Sequence, residues 1–100
     1  MMVEIPFRDD MKKASIEGRK CCTSRNSKYG KPGDTFMIDG QLFVIKKISK
    51  MKLDWMHHRY YKEEGFDSPE AFRSVWVELH PTKAYDPEQR VWTHWYEKVV

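Results

Sequence analysis

DTFMIDGQLFVIKKISKM, residues 34–51, holds two runs rich in apolar and β-branched residues about a central Asp39-Gly40 pair. An Asp-Gly pair between apolar runs is a strong hairpin signal, because a type I′ turn needs positive φ at both central positions. The stretch therefore predicts strands over Asp34–Ile38 and Gln41–Met51, paired antiparallel. Upstream, NSKYGKPG at residues 26–33 is turn chemistry throughout and reads as a loop. Lys20–Arg25, made of small and β-branched types, reads as a strand. Arg8–Glu17 reads as a helix. Asp9 or Asp10 can cap it, Phe7, Met11 and Ala14 share a face, and Gly18 supplies a left-handed stop. Val3–Phe7 is an edge strand or an extended lead-in.

Downstream, Leu53, Met56 and Tyr60 recur at helical spacing and predict a helix over Leu53–Glu63, ended by Gly65. Ser68-Pro69 opens another helix, with serine as cap and proline in the first turn. Phe72, Val75, Trp76 and Leu79 then form an i, i+3, i+4, i+7 stripe, read as core, and His80-Pro81 stops the helix. Val91–Val99 is aromatic and β-branched, a final strand. Helix, three strands, two helices and a strand with short antiparallel connections give an α+β domain with a small curled sheet or barrel.

One hundred residues, 40% hydrophobic and 33% charged with 14% aromatic, suit one domain with its own core, spanning residues 1–100. That composition excludes a disordered chain. No apolar run approaches the ~20 residues of a membrane span, and no secretory signal is read at the N-terminus. Cys21 and Cys22 are adjacent and do not read as a stapling disulfide, so a reducing cytoplasm is the expected setting. A monomer is the default.

Net charge is +3, but its distribution is uneven. Nine of the 18 Lys and Arg residues lie in two acid-free segments, one between Glu17 and Asp34, the other between Asp39 and Asp54. Neighbouring in space, these segments would make a positive face for an anion such as RNA. Solvated lysines on outward strand faces are an equal reading for Lys46–Lys52.

The densest chemical segment is GRKCCTSR, residues 18–25, at a helix stop and strand start. Thr23 and Arg25 share a strand face. Lys20 converges on Thr23 only if the chain is still turning from Gly18 to Lys20. A desolvated lysine is a base for a threonine hydroxyl, and a carboxylate nearby is a general acid or base. A packed threonine beside a solvent lysine is the bland reading of the same residues. No metal site is read. There is no C-x-x-C, the four histidines are scattered, and the neighbours His57 and His58 cannot face one ligand from a regular helix. No cofactor is expected.

GRKCCTSR resembles the G-x-K-x-x-[ET]-x-R signature of ASCH domains, relatives of the PUA domain. KPGDT at residues 31–35 resembles the turn that starts that family's next strand. EEGFDSPEAFRSVW at 63–76 resembles the junction between its helices, and VWTHWYEKV at 91–99 its closing strand. The match runs in order over nearly the whole chain. It implies a small, partly open β-barrel flanked by helices, in agreement with the element order.

The resemblance implies an RNA-associated protein. One small single-domain branch comprises N4-acetylcytidine amidohydrolases, which have threonine at the position of Thr23 and lysine at that of Lys20. It implies Thr23 as nucleophile, Lys20 as its activator and a junction glutamate as acid/base. Glu64 is the better register for that glutamate and Glu63 the other. Arg19, Arg25, Lys28 and Tyr29 are the expected substrate-binding residues. Backbone amides of the Lys20–Thr23 turn, or Arg25, are expected to hold the oxyanion. The segment Leu53–Tyr61 is long against the family pattern, which implies a remodelled pocket mouth. The alternatives are a non-catalytic PUA-like RNA-binding module, or a ribonuclease of the kind attributed to family members with glutamate in place of Thr23.

Overall fold

The computed structural model describes all of residues 1–100. Helix α1 spans Asp9–Ile16, strand β1 Cys22–Arg25, β2 Thr35–Ile38 and β3 Gln41–Lys52. Helix α2 spans Leu53–His58, α3 Pro69–Leu79 and strand β4 Arg90–Lys98. The strands form one antiparallel sheet in the order β1-β4-β3-β2. At the hairpin tip Asp39 has φ 47° and Gly40 φ 85°, the two positive angles the Asp-Gly pair predicted. Ile38 pairs with Gln41 directly across it.

The sheet curls because β3 is long and irregular. Its register against β4 shifts between Ile45 and Lys47, leaving Lys46 as a bulge, and a bulge bends its strand and raises the local twist. The result is an α+β fold, an open half-barrel of four strands with three helices against it. Val3–Phe7 is an extended lead-in, not a full strand. Met2 bridges Thr35 in parallel and the Val3 amide bonds the Thr35 carbonyl at 2.8 Å.

Two apolar clusters stabilise opposite faces of the sheet. Alternation along β4 sends Tyr96 to one and Val91 to the other. Tyr96 joins Ile5, Phe36, Ile38, Phe43 and Ile45. Its ring meets Phe36 and Phe43 edge-on at 5.2 and 5.6 Å between centroids. Val91 joins Cys22, Leu53, Met56, Phe72 and Trp76 beneath α2 and α3.

Three helix readings need correction. Asp9 and Asp10 lie inside the first turn of α1, after Arg8, and no side chain caps that helix. The second helix stops at His58, not Glu63: the amides of Arg59 and Tyr60 both bond the Trp55 carbonyl, which closes the helix. The chain then turns through to Gly65. In α3, Ser68 Oγ caps by accepting from the Ala71 amide at 3.1 Å, but the stripe is only half core. Phe72 and Trp76 are buried, Val75 is half-buried and Leu79 is 56% exposed, and all four border a cavity.

Tyr96 also ties α1 to the sheet through a 2.6 Å hydrogen bond between its hydroxyl and Ser15 Oγ, both buried. Tyr96→Phe keeps the ring packing and strands the Ser15 hydroxyl without its partner. It should destabilise the fold by about 1–3 kcal/mol. In a thermal melt that is a fall of roughly 4–8 °C per kcal/mol for a domain of this size. An unchanged melting temperature would remove this bond from the account of how α1 is held.

Candidate functional site

A cavity of about 500 Å³ opens between the lead-in, β1, the loop after it and α3. That volume lies in the range of about 300–1,000 Å³ typical of small-ligand sites. One end is polar and contributed by Lys20, Thr23, Ser24, Arg25 and Glu64. The opposite wall is apolar, built by Phe66 and the α3 residues Phe72, Val75, Trp76 and Leu79.

Local chain geometry delivers Lys20 to the polar end. Gly18 has φ 84°, and the amides of Arg19 and Lys20 both bond the Ala14 carbonyl. The chain is therefore still turning at Lys20, as convergence required, and β1 begins only at Cys22. The Lys20 side chain is almost wholly buried. Its Nζ donates to the Cys22 carbonyl at 2.7 Å, the Glu64 carbonyl at 2.8 Å and Glu64 Oε1 at 3.1 Å. A neutral amine has two N–H groups, whereas three acceptors at these distances engage the three of an ammonium. The expected approach of Lys20 to Thr23 is not made: its Nζ is engaged by Glu64 and the Cys22 carbonyl instead. In this structure Lys20 is the charged partner of Glu64 and does not bond Thr23.

Glu64 reaches the cavity from the turn between α2 and α3. Its second oxygen, Oε2, accepts from Ser24 Oγ at 2.5 Å. Of the two glutamate registers, Glu64 lines the cavity and Glu63 does not; the Glu63 carbonyl accepts the Cys21 and Cys22 amides. Gly65 makes the close approach. Its φ is 96°, and a Cβ there would sit 3.0 Å from Lys20 Cβ and 3.4 Å from Ala14 Cβ.

Thr23 Oγ1 accepts from Arg25 Nε at 3.1 Å, and Arg25 Nη2 donates to the Pro6 carbonyl at 2.7 Å. The Arg25 guanidinium lies 5.2 Å from the Phe7 ring centroid and 5.8 Å from that of Tyr29. Three of the turn amides expected to hold an oxyanion are engaged: Lys20 bonds Ala14, and Cys21 and Cys22 bond Glu63. Arg25 is left as the cationic donor of that pair of expectations. Arg8, also on the lining, has a buried Nη1 without a hydrogen-bond partner.

Lys20, Thr23, Arg25, Tyr29 and Glu64 thus border one cavity, and Arg19 and Lys28 do not. Arg19 is exposed and pairs with Glu17 at 2.7 Å. Lys28 sits 4.4 Å from the Trp92 ring centroid, and Lys50 lies 5.3 Å from the same ring. The two basic segments therefore meet there, outside the cavity. No residue of Leu53–Tyr61 lines the cavity, so the expected remodelling of its mouth by that segment is not seen. Ser24 is the residue that sequence reasoning passed over, and His94 is one whose strand face alternation left open. Ser24 touches Glu64, forty residues away, and no local pattern announces that. His94 is fully buried. Its Nε2 accepts the Tyr29 amide at 2.9 Å, so its Nδ1 carries the proton and donates to the Thr23 carbonyl at 3.2 Å. It pins the Tyr29 loop to β1.

His57 and His58 also correct the reading. Their rings lie 4.0 Å apart, and with Asp54 their ligand atoms fall within 4.8 Å of one another. The rings are tilted by only 31°, each face toward the other. His57 Nδ1 is bonded to the Tyr85 hydroxyl and His58 Nδ1 to Asp54 Oδ1, both at 2.9 Å. Of the two thiols, Cys22 is buried and Cys21 half-buried; burial pushes both up, away from the reactive thiolate form.

No family model matches the sequence, and no curated protein matches it. Solved structures match the fold. One is titled hypothetical protein PH0355, with TM-score 0.74 and 18% identity, covering 99% of this chain and 100% of that one. Another is an ASCH domain from Lactobacillus crispatus JV V101, with TM-score 0.71 and 11% identity over 97% of this chain and 78% of that one. A third is protein EF3133 from Enterococcus faecalis V583, with TM-score 0.64 and 17% identity over 88% and 66%. The chain shares the fold of that ASCH domain. No helix in it is long and apolar enough to cross a membrane.

Two predictions follow from the buried groups. Lys20→Met leaves Glu64 charged and unpaired inside the protein, which should cost about 3–5 kcal/mol. Replacing both partners by apolar residues of similar volume should cost less than that single change, which chemical denaturation can compare. Burial lowers the His94 titration below the ordinary value of 6.5, and burial with the neighbouring His58 charge does the same for His57. Between each folded midpoint and 6.5 the unfolded chain binds a proton that the folded one refuses, so stability rises with pH there. The melting temperature should fall as pH drops below about 6.5. An NMR titration placing the His94 midpoint at or above its ordinary value would overturn this.

Proposed function

We propose that this chain binds one N-acylated nucleobase, of the N4-acetylcytidine type, and hydrolyses its amide. The observation that supports the reading best is the buried Glu64 carboxylate. It is fixed on one oxygen by Lys20 and bonded to a hydroxyl on the other, at the polar end of a single-ligand cavity. A binder that reads a strand by its backbone needs cations spread along an open groove.

The chemistry is an acyl transfer. A hydroxyl of the adjacent Thr23 and Ser24 attacks the acetyl carbon, and its proton passes to Glu64. Arg25 is the cation available to the developing oxyanion. The C–N bond breaks and Glu64 returns the proton to N4, releasing cytidine. Water then cleaves the acetyl ester, gives its proton through Glu64 to the hydroxyl oxygen, and leaves acetate. The Lys20 ammonium holds Glu64 in place throughout. The apolar α3 wall and Tyr29 supply faces for a planar base.

A second reading rests on a different place. Trp92 has the Lys28 and Lys50 ammonium groups within 4.4 and 5.3 Å of its ring centroid, an aromatic beside cations on the sheet, which suits charge and stacking contacts with single-stranded RNA.

The experiment is chromatography of N4-acetylcytidine incubated with the protein. Cytidine and acetate should appear. Glu64→Gln should lower kcat by about 10²–10⁴-fold, the usual contribution of a general acid–base group. Lys20→Ala should lose activity as well. No turnover by the folded wild type would set the reaction aside. Salt-dependent retention of RNA, weakened by Lys28→Ala and Lys50→Ala, would then favour the second reading.

A further inference from the structure

Two hydroxyl-bearing residues, Thr23 and Ser24, line the cavity, and their hydrogen bonds differ in kind. Thr23 Oγ1 accepts from the Arg25 guanidinium, a group that cannot take a proton from it. Ser24 Oγ sits 2.5 Å from Glu64 Oε2. A carboxylate only accepts, so the Ser24 proton is directed at Glu64. Ser24 Oγ also lies 2.9 Å from Thr93 Oγ1. With the serine proton already placed, Thr93 must donate in that bond. The Lys20 ammonium holds the other oxygen of Glu64 at 3.1 Å.

Nucleophile, base and a third group that orients the base, each within hydrogen-bond reach of the next, are the signature of an activated hydroxyl. We infer that Ser24, not Thr23, is the acyl-accepting nucleophile of this cavity, with Glu64 as its base and Lys20 as the residue that positions Glu64. Ser24 Oγ forms the new bond to the acyl carbon as its proton moves to Glu64. The carbon–leaving-group bond breaks, and Glu64 protonates the leaving amine. Water hydrolyses the seryl ester, its proton passing through Glu64 back to Ser24 Oγ. For its substrate this assignment rests on the amide-hydrolysis reading. For its nucleophile it rests on the hydrogen bonds alone, and any activated acetyl donor can test it.

The test acetylates the folded protein with p-nitrophenyl acetate, quenches in acid and maps the adduct by fragmentation mass spectrometry. One acetyl group is expected on Ser24. The adduct should persist in Thr23→Val, vanish in Ser24→Ala and be strongly reduced in Glu64→Gln. Ser24→Thr keeps a hydroxyl beside Glu64 and should restore part of the labelling, which separates loss of the nucleophile from loss of the fold. An acetyl group on Thr23, or equal labelling in Ser24→Ala, overturns the assignment; so does the absence of any adduct. Turnover of N4-acetylcytidine by the wild type that survives Ser24→Ala and collapses in Thr23→Val would leave the hydrolase reading standing and this assignment fallen. Labelling at Ser24 without turnover of N4-acetylcytidine would do the reverse.

Discussion

The ion pair between Lys20 and Glu64 joins two turns of the chain, which the Cys21 and Cys22 amides also tie through the Glu63 carbonyl. Lys20 leaves the turn after α1, and Glu64 sits on the turn between α2 and α3. Both are almost fully buried. A charge taken out of water costs several kcal/mol unless it is paired and its remaining bonds are satisfied. Here they are satisfied on both sides. All three Lys20 donors have oxygens, and both Glu64 oxygens have donors. Two of the three lysine acceptors are backbone carbonyls, of Cys22 and Glu64, so the pair also fixes the path of the chain. Gly65 follows from this. Only a residue without a side chain lets the junction come within contact of Lys20 and Ala14.

What the sequence made legible is what depends on neighbours along the chain. The Asp39-Gly40 turn needs two positive angles and declares them in two residues. Gly18 and the Ser68-Pro69 cap are equally local. The curled α+β sheet and the cavity membership of Lys20, Thr23, Arg25, Tyr29 and Glu64 follow from such signals together with the family resemblance. Long-range packing decides the rest. The α3 stripe has a core's periodicity, yet periodicity says which residues share a face and not what that face meets. All four residues of the face line the cavity, Phe72 and Trp76 buried in the core as well. Helical spacing persisted through Tyr60, but the helix closes on the Trp55 carbonyl and frees the chain to turn Glu64 inward.

The histidines show the same limit. A regular helix separates His57 and His58 by about 100°, and the argument against their meeting is sound for a helix interior. They sit in its last turn, where Tyr85 and Asp54 each take one ring. His94 was undecidable from strand alternation alone. Its value to the site lies in two bonds, to the Tyr29 amide and to the Thr23 carbonyl. It thereby couples the loop that carries one cavity wall to the strand that carries the hydroxyls.

A buried ion pair is weak support for stability, since apolar residues of the same volume often serve a fold as well or better. That argues for reading the Lys20–Glu64 pair through the cavity it borders. The pair has a serine hydroxyl on its free carboxylate oxygen, and that serine lines an opening large enough for a small ligand. The polar atoms are held by the backbone on one side and face an apolar aromatic wall on the other. The near-complete burial of Lys20 and Glu64 strengthens the charge interaction between them. A fixed carboxylate bonded to a hydroxyl, beside the Arg25 cation and within that setting, is better suited to transferring an acyl group than to adding stability.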